Sequence, residues 1–263
     1  MNETTIKDKM QKLRLSGMID LYNHRVEQAI QEKWAYSVFL EMLLTDALEK
    51  RDHKQLTLRL SRSRLDLSKT IETFDFARQG VNIPVALIRE LSTCSFIEKN
   101  KNVFIFGKAG LGKTHVAHAL GHQACRRGYD VLFQCMKGMM DWILAGKGDG
   151  THKKRLAHVI KMPLLLMDDF GLQSLCEEQQ QDLYQLIAER YEKRSIILTT
   201  NRAIEEWAYI FDNPLIGSAA VDRLVHKGIG VELEGPSQRL AEYKKTTQLE
   251  EERKNSSKSS SKK

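Results

Sequence analysis

Between an apolar run, NVFIFG, and a helical segment, HVAHAL, the chain carries Gly107-Lys108-Ala109-Gly110-Leu111-Gly112-Lys113-Thr114. No other stretch limits the possible folds as strongly. The spacing G-x-x-x-x-G-K-[ST] is a device for holding phosphate. Its glycines allow a tight turn that brings backbone N–H groups onto an anion. A helix starting near Gly112 adds its positive end at the same point, with His115 in its first turn. Lys113 can reach the outer phosphates of a nucleotide, and Thr114 offers a hydroxyl to Mg²⁺. Such a loop works only between a buried strand and a helix, so an α/β architecture is required.

The rest of the chain agrees. From Asn102 onward, the short apolar runs NVFIFG, DVLFQC, PLLLMDDF, SIILTTN and IGVELE alternate with helical segments. This alternation predicts a parallel sheet covered on both faces. In LLLMDDFG, residues 164–171, four apolar residues lead to Asp168, placed to hold Mg²⁺ through its water shell. Asp169, one residue on, can polarise an attacking water. SIILTTN ends in Thr199-Thr200-Asn201, small polar groups at the carboxyl end of a central strand, where ligands bind. Asn201 is positioned to hold that water. Two later arginines, Arg223 in AAVDRLVHKG and Arg239 in GPSQRLAEY, are candidates for stabilising transition-state charge.

Residues 1–68 read differently. Ile6, Met10 and Leu13 fall at helical spacing, Ser16-Gly17 interrupts, and Met18, Leu21, Tyr22, Val26 and Ala29 resume it. From Ser37 a long amphipathic run follows, with Phe39, Met42, Leu43, Ala47 and Leu48 as its apolar side. A helical N-terminal domain that needs a partner surface is expected. The two aromatics of TFDF, Phe74 and Phe76, stand in a short non-periodic link. Pro84 suits a helix first turn. Residues 69–247 form the expected α/β domain, and 248–263, a Ser/Lys tail, should be disordered.

Hydrophobic residues make up 41% and charged residues 29% of the 263, ordinary for a globular chain, while the net charge of +7 favours an anionic partner, most simply nucleic acid. Two basic clusters would meet it: Lys50, Arg51, Lys54, Arg59, Arg62 and Arg64, against the single acid Asp52, and Lys147, Lys153, Lys154, Arg155 and Lys161. No module for reading base edges is evident, so weak sequence preference is expected. No apolar run approaches the roughly 20 residues that span a bilayer. The polar start carries no secretory signal, so a cytoplasmic protein is expected. The four cysteines, 94, 125, 135 and 176, have no CxxC spacing and read as reduced thiols in apolar contexts.

Glycine loop, acidic strand, polar strand and Asp-Arg motif, in that order, resemble an AAA+ ATPase. TFDF, GKAGLGKTHVAHALGHQACRRGYDVLF, LLLMDDFGL, ILTTNR and VDRLVH together are similar to the IstB family, helper ATPases encoded beside the transposase in one class of bacterial insertion sequences. The similarity runs from about residue 70 to 243. DnaC-type helicase loaders share the core and much of the motif order. The resemblance implies a five-stranded parallel sheet of order 5-1-4-3-2 and ATP bound with Mg²⁺ between subunits of a homo-oligomer. It implies Asn201 as sensor 1, Arg223 as an arginine finger acting on a neighbour's ATP, and Phe74 and Phe76 near the adenine. Arg239 is a sensor-2 candidate in a shortened lid. The segment between the second and third strands resembles the extra helical insertion of initiators and loaders. Duplex DNA and a transposase are the implied partners, and a bacterial, nucleoid-associated protein is the implied setting. A loader would instead act at single strands on a helicase. Asp169 departs from the common Glu of AAA+ proteins, which implies slow, switch-like hydrolysis. A kinase or small GTPase is disfavoured, because no guanine-reading N-K-x-D is present.

Overall fold

The computed structural model describes residues 3–77 and 82–237. The chain divides into two compact units, Met1–Ser61 and Arg62–Lys263. The first holds α1 (Glu3–Lys12), α2 (Ser16–Gln31) and most of α3 (Tyr36–Ser63). The Ser16-Gly17 interruption is the start of α2. A Cβ at Gly17 would lie 2.6 Å from Ala47 Cα, so the two helices meet there backbone to backbone. Beside this crossing, Arg25 donates from Nε and Nη2 to the two oxygens of buried Asp46, at 2.9 and 2.7 Å. This bidentate pair holds the Asp46 carboxyl below its ordinary range. Met18 and Leu43 are buried beside it. Leu48 departs from the expected apolar side: it is exposed, with Leu44 and Leu40 one and two turns before it. Asp46 and its arginine turn the other face of α3 inward.

The second unit is built on the five apolar runs. They form β1 (Val103–Gly107), β2 (Val131–Cys135), β3 (Leu164–Asp168), β4 (Ser195–Thr200) and β5 (Ile229–Leu233). All neighbours pair in parallel, in the order β2-β3-β4-β1-β5, which is the expected 5-1-4-3-2 order read from the other edge. This is the AAA+ P-loop arrangement. Three strands, β1, β3 and β4, are flanked on both sides, and β3 and β4 are buried along their whole length. Their central residues, 164–167 and 196–198, are therefore apolar without alternation.

Helices α4 (Val85–Leu91) and α5 (Ser95–Glu98) precede the sheet, and α6 (Lys113–Arg126) follows β1. The long crossover after β2 is two helices, α7 (Met136–Ala145) and α8 (His152–Lys161). Then come α9 (Glu177–Arg190), a 3₁₀ segment at Ile204–Ile210, and α10 (Pro214–Val225). Met136, Met139, Met140 and Ile143 of α7 are fully buried. Trp207 stands edge-on to both Phe104 and Phe170, with centroids 5.2 and 5.3 Å away. Among the described residues, no helix is long and apolar enough to cross a membrane.

Two of the cysteines do not fit the expected apolar setting. Cys94 and Cys125 are buried, and burial pushes the Cys94 thiol up to about 11. Cys135 and Cys176 are exposed, at the N-cap positions of α7 and α9.

Polar groups inside the core act as fasteners. Asn102 donates to the Leu224 carbonyl and accepts from Ile196 N–H, both at 2.9 Å, tying α10 to β4. Arg190 is buried, 1% exposed, and donates to the carbonyls of Val159, Ile160, Met162 and Ser195. It closes the carboxyl end of α8, where carbonyls lack helical partners. Burial without a facing carboxylate pushes its pKa down to about 9. Residues 64–77 lie along α6. There His118 accepts from Asp66 N–H at 3.1 Å and packs on Phe133, and its burial lowers its pKa from 6.5 to about 4.

Two outcomes follow. Arg190→Met leaves carbonyls without a donor and should lower unfolding stability by roughly 2–4 kcal/mol in urea titrations. The folded His118 ring refuses a proton that the unfolded chain accepts. Stability should therefore fall as pH drops from about 6.5 to about 4, and His118→Asn, which keeps an acceptor, should flatten that fall.

Candidate nucleotide site

The carboxyl ends of β1, β3 and β4 meet at a cavity of about 470 Å³. It is lined by Ala109, Gly110, Gly112, Lys113, Thr114, His115, Asp168, Asp169, Asn201, Leu172 and Lys69. The glycine loop forms one wall. Gly110 and Gly112 have φ of +82° and +96°, which side chains resist. Gly107 also has positive φ, and a Cβ there would lie 2.2 Å from the Leu233 carbonyl oxygen. That close approach seats the loop against β5. Lys113 Nζ donates to the carbonyls of Gly107 and Lys108 at 2.7 and 2.9 Å, which keeps the ammonium over the loop. Leu111 turns away from the cavity and is fully buried.

Asp168 joins the walls. Its carboxylate accepts from Thr114 Oγ1 at 2.9 and 3.1 Å and from Thr199 Oγ1. The first turn of α6 is thus fixed to β3 and β4 through one buried side chain. Thr199 was visible in sequence only as a small polar strand residue. Its direct bond to Asp168 depends on β3 and β4 being neighbours. Thr199 Oγ1 also accepts from Asp169 N–H at 3.2 Å, and the Thr199 carbonyl accepts from Phe170 N–H at 2.9 Å. Thr200 Oγ1 donates to the Phe170 carbonyl at 2.9 Å. The turn after β3 is therefore stitched to β4. Asp169 takes φ +55° and Gly171 φ +75° in it.

These groups suit a nucleotide triphosphate with a divalent cation: a glycine loop with left-handed turns, a lysine held over it, and a threonine hydroxyl bonded to a carboxylate. Phe74 stands beside the cavity rather than in its lining. It is buried and edge-on to both His115 and Phe76, with centroids 5.0 and 4.9 Å away. Lys69 also lines the cavity, yet no motif marks it, since it lies outside the glycine loop and 44 residues before Lys113.

Arg223 is not at this cavity. It lies in the last turn of α10, donates to the Ala219 carbonyl at 2.9 Å, and sits 5.5 Å over the Tyr184 ring. Arg239 and the 248–263 tail fall outside the described residues. In the first basic cluster, Lys50 is paired with Asp20, an acid brought in from α2. Arg51 and Lys54 share a groove with Leu44 and Leu48. Arg59 accompanies Gln55 at 3.2 Å, and Arg62 and Arg64 are exposed. In the second cluster, Lys147 pairs with Glu178 at 2.9 Å, and Arg155 with Asp149 at 2.6 Å and the face of Trp142. Lys153, Lys154 and Lys161 lie exposed on α8.

Strand order, loop and Asp168 bridge define an AAA+ P-loop protein. The IstB-like ATP binding protein family matches residues 8–246, and the chain belongs to that family. An insertion-sequence ATP-binding protein of Mycobacterium tuberculosis is 32% identical over 238 residues, 90% of this chain and 94% of that protein. One from Geobacillus stearothermophilus is 33% identical over 237 residues, again 90% and 94%. Among solved structures, DnaA of Aquifex aeolicus bound to AMPPCP superimposes with a TM-score of 0.54 at 26% identity, over 71% of this chain and 57% of that one. The DnaC helicase loader shares the fold, with a TM-score of 0.50 at 23% identity over 57% of this chain and 88% of that one.

The backbone at Asp169 limits what can replace it. Asp and Asn tolerate a left-handed conformation, whereas longer side chains resist it by about 1 kcal/mol or more. Asp169→Asn should unfold in urea close to the wild type. Asp169→Glu should be less stable by about 1 kcal/mol, and equal stability of all three would disprove this account.

Proposed function

We propose that this protein is an ATP-dependent DNA-binding ATPase that assembles on duplex target DNA and stimulates a transposase encoded by the same insertion sequence. The observation that carries the ATP part is the Thr114–Asp168 hydrogen bond at the mouth of the glycine loop, which puts a hydroxyl and a carboxylate together where a nucleotide's cation belongs. The insertion-sequence names of the relatives support the transposition part, and the +7 charge supports a DNA partner.

In this reading the backbone N–H groups of residues 107–114 and Lys113 bind the phosphates. Thr114 and Asp168 would hold Mg²⁺, which would supply positive charge against the phosphates. Asp169 accepts a proton from, or orients, the attacking water, and Asn201 fixes that water's position. His115, Phe74 and Phe76 flank the base side. Arg223 reaches the ATP of a neighbouring subunit, in keeping with its place away from its own cavity. Arg239 is the sensor-2 candidate. The N-terminal helices, residues 1–68, serve DNA, transposase or self-association, and residues 69–247 form the ATPase. The exposed Lys153, Lys154 and Lys161, with Arg51, Lys54, Arg62 and Arg64, are the cations to test against phosphate. The protein acts in the cytoplasm, where the chromosome is. Hydrolysis is slow and switch-like.

A second reading is a helicase loader at single-stranded DNA. It is favoured by the likeness to a replication initiator solved with AMPPCP and single-stranded DNA, at 27% identity and a TM-score of 0.54 over 66% of this chain and 52% of that one.

The test is binding of the full chain to duplex and single-stranded DNA with ATP, ADP or no nucleotide. Tight duplex binding with ATP alone, abolished by Lys113→Ala, is the expected result. Asp169→Asn should keep ATP-dependent binding while slowing hydrolysis by roughly 10²-fold or more. Preference for single strands would replace the first reading by the second. Indifference to nucleotide would sink both.

A further inference from the structure

The cavity has a cation that the glycine loop does not provide. Lys69 lines it from a strap, residues 64–77, that joins the end of α3 to the rest of the second unit. The strap is fastened along one face of α6. His115, His118, His122 and Arg126 follow each other at spacings of three, four and four, so they form a single stripe. Each grips the strap. His115 Nε2 donates to the Thr70 carbonyl at 2.9 Å. His118 accepts from Asp66 N–H at 3.1 Å, and His122 Nε2 donates to the Asp66 carbonyl at 3.0 Å. Arg126 donates to Glu72 at 2.9 Å.

Gly121, three residues after His118, flanks the stripe. A Cβ there would come within 2.9 Å of Leu65 Cδ2, so the glycine leaves room for Leu65, which is buried. At the other end of the strap, Phe74 is buried against His115. The helix that begins at the phosphate loop is therefore also the bed of the strap.

Within the strap Asp66 holds Lys69. Its carboxylate accepts from Ser68 N–H at 3.0 Å and Ser68 Oγ at 2.7 Å, and pairs with Lys69 Nζ at 2.9 Å. The Asp66 backbone is meanwhile fixed by His118 and His122. A lysine side chain is ordinarily mobile. This one is tethered at the edge of a phosphate cavity.

We propose that Lys69 is a nucleotide-binding residue whose ammonium meets the polyphosphate, so that bound nucleotide fixes the strap and with it the point where the N-terminal helices leave the ATPase core. The inference rests on the ATP-site reading above and adds a residue and a route to it. Lys113 acts within the loop, whereas Lys69 makes the nucleotide a bridge between α6 and the strap. Nucleotide state is then transmitted by covalent continuity to α3, which ends at Ser63, immediately before the strap.

The experiment uses the full chain and a fluorescent N-methylanthraniloyl ATP, with hydrogen exchange of peptides covering residues 64–77 at saturating nucleotide. Wild type should bind, and its strap should exchange more slowly with nucleotide than without. Lys69→Met should weaken binding about tenfold or more, as loss of a charge-assisted contact does, and should lose the nucleotide-dependent protection of the strap even when saturated. Lys69→Arg should retain both. A Lys69→Met protein with wild-type affinity and protection would overturn this inference alone. A wild type that binds no nucleotide would overturn the ATP-site reading and this inference with it.

Discussion

The carboxylate of Asp168 is the constraint on which the rest of the site depends. A buried carboxylate must have donors, because an unpaired charge in the interior is costly. Here the donors are Thr114, from the helix after the glycine loop, and Thr199, from the adjoining strand. Three elements far apart in sequence are thereby held at one point. Thr199 accepts from Asp169 as well, so the same cluster sets the backbone of the next acidic residue. Loss of either hydroxyl would loosen the loop and the turn together.

A second consequence concerns Asp169. Stitching the turn to β4 puts this residue in a left-handed conformation, followed by Gly171 with positive φ. A short polar side chain that tolerates this backbone is therefore suited to the position. The general AAA+ pattern made Asp169 look like a departure from Glu. The backbone supplies a physical reason for the shorter acid that does not depend on the rate of hydrolysis.

Helix α6 serves two surfaces. Its first turn faces the cavity, and its histidine stripe carries the strap. The histidines suit this use because a neutral ring can accept from one backbone group and donate to another. His118 is kept neutral by burial, and its accepted bond from Asp66 N–H requires that state. The strap's hold on the helix and the electrostatics of the cavity are thus linked through Asp66, which touches His118, His122 and Lys69.

Much of this was legible in the residues. Each of the five apolar runs is a strand, and the reason is clearest in β3 and β4, whose burial on both faces demands an unbroken apolar run. The glycine loop, Lys113 and Thr114 were legible because loop, preceding strand and following helix are local in sequence, and Asp168 because it ends an apolar run. The resemblance, rather than periodicity, supplied the strand order, which the structure shows. Other features required the tertiary structure. The Thr199 bond to Asp168 needs β3 beside β4. The Lys50 pairing with Asp20, the outward turn of Leu48 and the exposure of Cys135 and Cys176 depend on which faces meet. Lys69 reaches the cavity only because residues 64–77 lie back along α6. Local pattern is set by the pleat of a strand, the turn of a helix and the φ of a glycine, so the sequence determined the elements and the phosphate loop. Contacts across long loops depend on packing between surfaces that no local period encodes, and only the folded chain decided them.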